Sequence, residues 1–261
     1  MSVSPRVDVR LDERASGRVA FVTIDNARKL NVLGAAVMEE LVGVLATLVH
    51  DEQLRAAVLS GAGDRAFIGG ADVDEMAVLE TADAARDFIT RVHRCCAAVR
   101  DLPVPVIARV NGYALGAGLE LMASCDLRVA SETAVFGMPE VRLGMPSVVE
   151  AALLPGLIGW GRAREMLLLG EMFTADVAGA IGLVDAVVPA IELDQAVEKR
   201  LEAILAGGPA AIRLQKALIR QWQDLPLRDA IAAGIDVFAA AYRGDEPRMT
   251  MASWLRARGR A

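Results

Sequence analysis

Three glycines fall within seven residues in "VNGYALGAGLELMASCDLRV" (Val110 to Val129), at positions 112, 116 and 118, and a carboxylate, Glu120, follows two residues later. Glycine lets a backbone take positive φ or approach a ligand closely. A helix starting near Ala117 leaves its first N–H groups unpaired at the positive end of its dipole, with Glu120 in the same turn. Three chemistries fit. A first-turn acid can simply favour the dipole above a tight connection. Gly116-x-Gly118 can open a dinucleotide-binding G-x-G-x-x-G, but Leu121 occupies the third glycine position, and no G-K-[ST] follows to make a P-loop. Or the amides can form an oxyanion hole beside an acid or base, which requires a second N–H donor.

A candidate for that donor is "AFIGGADVDEM", residues 66–76. Gly69-Gly70-Ala71-Asp72 again follows a short strand and precedes a helical pattern, so the Ala71 N–H can face that of Ala117. Two such donors suit a thioester oxygen as it becomes an enolate, and losing one typically costs about 3 kcal/mol of transition-state stabilisation. Taken alone, "GGAD" reads as a β-turn. A second carboxylate, Glu140, follows Pro139 in "FGMPEVRLGMP", where a proline-flanked acid is ordinarily an exposed loop residue. Glu150 is a further acid, read as a surface or helix-capping residue or as a third polar group near a ligand. A serine peptidase is not supported: no G-x-S-x-G elbow is present, and neither His50 nor His93 sits near a candidate serine.

The elements that must position these residues follow from hydrophobic spacing. "VDVRLDER" and "VAFVTID" read as strands joined at Ser16-Gly17, and residues 34–50 carry apolar positions at helical spacing. "RAAVLSG" is a strand, "AFIGGAD" follows, and a helix is expected over about 83–101. Then come the strand "VPVIARV", the glycine turn, a short helix, the strand "DLRVAS" and the extended piece "AVFG". This strand, strand, helix rhythm is not the strict alternation of a doubly wound sheet. From about Ser147 the pattern becomes helical except for the strand "GLVDAVVP". Helices are expected over 192–206, 210–223, 226–243 and 246–258, separated by "GGP", "DLP" and "RGDEP". The expected organisation is an α/β core over 1–190 and a helical region over 191–261. Leu218, Trp222, Ile231, Phe238 and Trp254 give that region apolar faces for the core or a neighbouring subunit.

Composition narrows the classes further. Of 261 residues, 54% are apolar and 24% charged, a globular balance. The net charge of −6 argues against a broad nucleic-acid surface, even though arginines number 25 against three lysines. No apolar run reaches the length of a membrane span, and the N-terminal stretch lacks the apolar core of a signal peptide, so a cytoplasmic protein is expected. Cys95, Cys96 and Cys125 fit neither a disulfide framework nor a zinc spacing, and two histidines make a histidine-rich metal site improbable. The end, "WLRARGRA", reads as a basic, solvated helix terminus.

Taken together, the ordered segments resemble the crotonase superfamily, the enoyl-CoA hydratases and isomerases. The likeness runs from "VAFVTIDNARKLNVLGAAVMEEL" through both glycine segments and "REMLLLGEMFTADVAGAIGLVDAVVP" into the helical tail. The resemblance implies a spiral of β-β-α units, a C-terminal helical trimerisation region and a homotrimer or homohexamer. It implies coenzyme A thioester substrates and no cofactor beyond them. It places the oxyanion amides at Ala71 and Ala117, has Glu120 orient and activate water, and has Glu140 handle the proton at Cα. Coenzyme A is expected near Lys29, Leu30, Asn31, Gly69, Gly70, Ala71, Asp72, Val73, Gly116 and Gly118. Met145, Pro146, Ser147 and Val148 are expected to line the acyl end, where "MPSVVEAALLPG" departs from the glycine-rich turn of most hydratases. That departure keeps isomerase, lyase and decarboxylase chemistry open, with a non-catalytic coenzyme A- or RNA-binding member as the other class.

Overall fold

The computed structural model describes residues 5–258; the expectations placed on residues 1–4 and 259–261 lie outside the described residues. The hairpin forms as expected: β1 (Arg6–Arg14) and β2 (Gly17–Asp25) pair antiparallel with Arg14 opposite Gly17. After α1 (Ala35–Val49) come β3 (Leu54–Gly61), β4 (Ala66–Ile68), the single turn α2 (Val73–Met76) and α3 (Ala82–Asp101). Thr81 caps α3, its hydroxyl accepting from the Ala84 N–H at 3.1 Å. The next stretch holds β5 (Val106–Val110), β6 (Tyr113–Leu115), α4 (Ala117–Ala123), β7 (Leu127–Ser131) and β8 (Val135–Gly137). Two 3₁₀ turns, Pro139–Leu143 and Val149–Leu153, lead into α5 (Leu154–Leu169), broken at Gly159. Then follow β9 (Met172–Thr174), α6 (Ala175–Ala180), β10 (Ala186–Val188), α7 (Leu193–Ala206), α8 (Pro209–Asp224), α9 (Leu227–Ala241) and α10 (Glu246–Ala257).

The strands divide into a six-stranded sheet ordered β1-β2-β3-β5-β7-β10 and a four-stranded sheet ordered β4-β6-β8-β9. Each turn of the chain gives one strand to each sheet: β3 and β4, then β5 and β6, then β7 and β8. The larger sheet is parallel from β2 to β10, with Ala57 beside Val106 and Ile107 beside Leu127. This is the expected spiral, with two additions. Neither β6 nor β9 was anticipated: β6 lies inside the glycine-rich turn and β9 in a stretch whose pattern reads as helical.

Alternation along the strands sorts the core into two layers. Ala57 and Leu59 of β3 face one cluster with Val22, Ile24, Val106 and Ala108, while Ala56 and Val58 face a second with Val19, Ile107 and Val129. All eight residues of β3 are buried. The second layer is closed by α7 through Leu193, Val197, Leu201 and Ile204, one helical stripe. The expected division near residue 190 therefore falls before a helix that shares a hydrophobic cluster with the sheet. Among the described residues, no helix is long and apolar enough to cross a membrane.

Candidate active site

α4 begins where the sequence places it. Gly116 takes φ +51°, its N–H donates to the Gly137 carbonyl at 2.9 Å, and its own carbonyl accepts the Glu120 N–H at 3.0 Å. All seven residues of α4 are buried. Gly118 serves packing: a Cβ there would collide with the Ile68 carbonyl of β4, and the residue does not line the cavity described below. The same holds for Gly112 against Arg65. Glycine at 118 thus brings α4 against the strand that carries the second glycine turn.

That second turn is held by a bridge between Leu33 and Ala71. The Leu33 N–H donates to the Gly70 carbonyl at 2.8 Å, and the Asp72 N–H donates to the Leu33 carbonyl at 3.0 Å. Successive amides of extended backbone face opposite sides, so the Ala71 N–H is turned away from Leu33. Among the described residues, neither it nor the Ala117 N–H donates to any other group. Both residues line one cavity of about 180 Å³, room for a handful of waters.

The same cavity collects most of the expected site: Gly69, Gly70, Val73, Gly116, Glu120, Glu140, Met145, Pro146, Ser147 and Val148. Met76, Phe88, Ile89, Val92 and Leu143 make the rest of the wall largely apolar. Besides Gly118, four expected residues lie outside it. Asn31 is wholly buried at φ +57°, its amide donating to the Ala62 and Ala66 carbonyls at 3.0 and 2.9 Å and its Oδ1 accepting from the Asn26 N–H. Its side-chain donors are spent inside the fold, where it ties the loop. Leu30, also at positive φ, gives its carbonyl to the Gly69 N–H at 2.8 Å. Lys29 is exposed, with Nζ 2.7 Å from Asp74 and 3.3 Å from Asp72, whose other oxygen caps α2 through the Asp74 N–H.

The two glutamates differ in environment. Glu140, half-buried, accepts a hydrogen bond from the Ser147 hydroxyl at 2.7 Å. It leans over the start of α4, where a Cβ at Gly116 would collide with its Oε1. Glu120 is 3% exposed, and its Oε1 accepts the Ala151 N–H at 3.0 Å. Burial pushes its carboxyl up to about 8; the Ala151 amide opposes this, while the charges of Glu140 and Glu150 add to it. Nothing in the sequence signalled the Ser147–Glu140 bond or the burial of Glu150, whose side chain lies behind Glu120 and outside the cavity.

The whole chain matches known proteins along almost its full length. The model of the family described as "Enoyl-CoA hydratase/isomerase" covers residues 14–259. The chain belongs to the enoyl-CoA hydratase/isomerase family. Similar curated proteins include a short-chain-enoyl-CoA hydratase of Clostridium acetobutylicum, 33% identical over 93% of both chains. A crotonyl-CoA hydratase of Syntrophomonas wolfei is 32% identical over 92% of this chain and 93% of its own. Among solved structures, an enoyl-CoA hydratase from Mycobacterium smegmatis superposes with a TM-score of 0.90 at 31% identity, covering 95% of this chain and 96% of that one. The fold is that of the crotonase family.

Proposed function

We propose that the protein is an enoyl-CoA hydratase that adds water reversibly to a 2-enoyl-CoA. The observation that carries this reading is one cavity holding two unpaired backbone amides, at Ala71 and Ala117, and two glutamates, at 120 and 140. The names of the relatives, a short-chain-enoyl-CoA hydratase and a crotonyl-CoA hydratase, support it. In this reading the thioester oxygen lies between the two amides, which hold its charge as Cα becomes enolate-like. The carboxyls share a proton. Water gives a proton to the ionised member as its oxygen bonds to Cβ, and the protonated member supplies Cα, so the elements of one water are added and none is left over. With Glu120 pushed up to about 8, its carboxyl retains a proton through the neutral range.

The coenzyme A moiety requires cations for its phosphates, and the exposed Lys29 ammonium beside the Gly69–Val73 turn offers one. The apolar wall from Val73 to Val92 and from Leu143 to Val148 suits an acyl chain. No cofactor enters these steps. Loss of crotonoyl-CoA enone absorbance tests the activity: rapid loss by the native protein, falling at least 100-fold in Glu140→Gln, is expected. Tight coenzyme A binding without turnover across enoyl, 3-enoyl and branched thioesters would instead point to a binding member of the family.

A further inference from the structure

Behind Glu120 lies an acid that the reaction above does not use. Glu150 is 3% exposed, and although it sits in the turn that donates the Ala151 N–H to Glu120, it does not line the cavity. Its Oε1 is 2.9 Å from His93 Nδ1 and 3.8 Å from Arg100 Nη1, both on α3. Its Oε2 is buried and has no hydrogen-bond partner among the described residues. A buried carboxylate oxygen without a partner is costly, and the backbone goes out of its way to put it there: Val149, β-branched, takes φ +41°. Arg100 is half-buried and His93 half-exposed, so the charge of Glu150 is only partly compensated.

The ionisable groups facing Glu120 come from three elements. Glu140 comes from the turn after β8, Glu150 from the turn before α5, and the Cys96 thiol from α3. Burial, followed by the charges of Glu150 and Glu120, pushes Cys96 up, so it remains a neutral thiol. β4 brings no ionisable side chain, and the one on β6, Tyr113, is exposed. The field that distinguishes Glu120 from an ordinary buried acid therefore comes from Glu140 within the cavity and Glu150 behind it.

We propose that Glu150, held between His93 and Arg100, is a positioning residue whose buried charge adds to burial in keeping Glu120 protonated, without touching the substrate. The turn from Val149 to Ala151 contributes to both, its amide fixing the Glu120 carboxyl in place and the Glu150 side chain adding to the burial that favours the proton there. The inference rests on the hydratase reading only for its kinetic consequence.

Two variants move the charge in opposite senses. Glu150→Gln removes the negative charge at nearly constant volume and is expected to lower the Glu120 midpoint by about one pH unit. Arg100→Gln removes a permanent positive charge facing Glu150 and is expected to raise that midpoint. The midpoint is read in two ways: from the pH profile of kcat for crotonoyl-CoA hydration, and from ¹³C NMR titration of glutamate-labelled protein, with Glu120→Gln assigning the signal. KM is expected to change less than about threefold, since neither residue lines the cavity. Shifts of opposite sign support the proposal. A midpoint unmoved by either variant, shifts of the same sign, or a rate loss uniform across pH overturns it. If the native protein does not hydrate crotonoyl-CoA, the hydratase reading fails alone, and the NMR titration still decides the role of Glu150. Should Glu150→Gln fail to fold, Arg100→Gln, on the half-buried last turn of α3, carries the test by itself.

Discussion

Glu120 combines two demands that pull against each other: a carboxylate that water hardly reaches, and an amide from Ala151 that favours its charged form. Burial wins, and the group is pushed up to about 8. The sign of the stability consequence follows. A carboxyl whose folded value lies above its unfolded one binds its proton more tightly in the fold, so stability falls as pH rises from about 4.5 to about 8. Glu120→Gln keeps an acceptor for the Ala151 amide and removes the titration. It is expected to raise Tm at pH 8.5 relative to the native protein by more than it does at pH 5, corresponding to about 1–3 kcal/mol. The same variant is expected to lower kcat at least 100-fold while leaving thioester affinity within a few-fold. Equal effects on Tm at both pH values would remove the burial argument.

At the scale of elements, the site is the meeting of two strand ends in the smaller sheet. β4 delivers the Gly69–Ala71 turn, β6 delivers Gly116 and α4, and the absence of a side chain at Gly118 lets α4 rest on the Ile68 carbonyl. Gly118→Ala forces those two elements apart and is expected to cost about 1–3 kcal/mol in a denaturant titration, with a drop in activity as Ala71 and Ala117 separate. Unchanged stability would show that the contact can relax. Ala71, Ala117 and Glu120, which one cavity brings together with Glu140, were singled out in the sequence because glycine turns and first-turn acids constrain the backbone locally. Glu140 read as a loop acid and entered only through the family resemblance. What was not legible depends on long-range placement. That Asn31 spends its side-chain donors on Ala62 and Ala66, and that Gly118 packs on Ile68, depends on segments distant in the chain. Glu150 looks like a cap until α3 buries it, and β6 and β9 lie inside the glycine-rich turn and in a stretch whose pattern reads as helical.

At the scale of the molecule, the last helices carry a stretch of exposed apolar surface. Ile231, Ile235 and Phe238 of α9, with Met249 and Trp254 of α10, stand open to solvent, whereas α7 hides its stripe against the sheet. Such a patch suits a partner surface, and we propose that the partner is another copy of the chain. Phe238→Asp is expected to convert a trimer or hexamer to smaller species in sedimentation or light scattering; a native protein already monomeric at micromolar concentration would contradict this. The central claim, that one thioester oxygen is held by two main-chain amides 46 positions apart, is tested most directly by a crystal structure with an acyl-CoA bound. The thioester oxygen is expected about 3 Å from both the Ala71 and Ala117 nitrogens, with Glu120 and Glu140 flanking Cα and Cβ. An oxygen held elsewhere, or either amide turned away from it, would contradict the account.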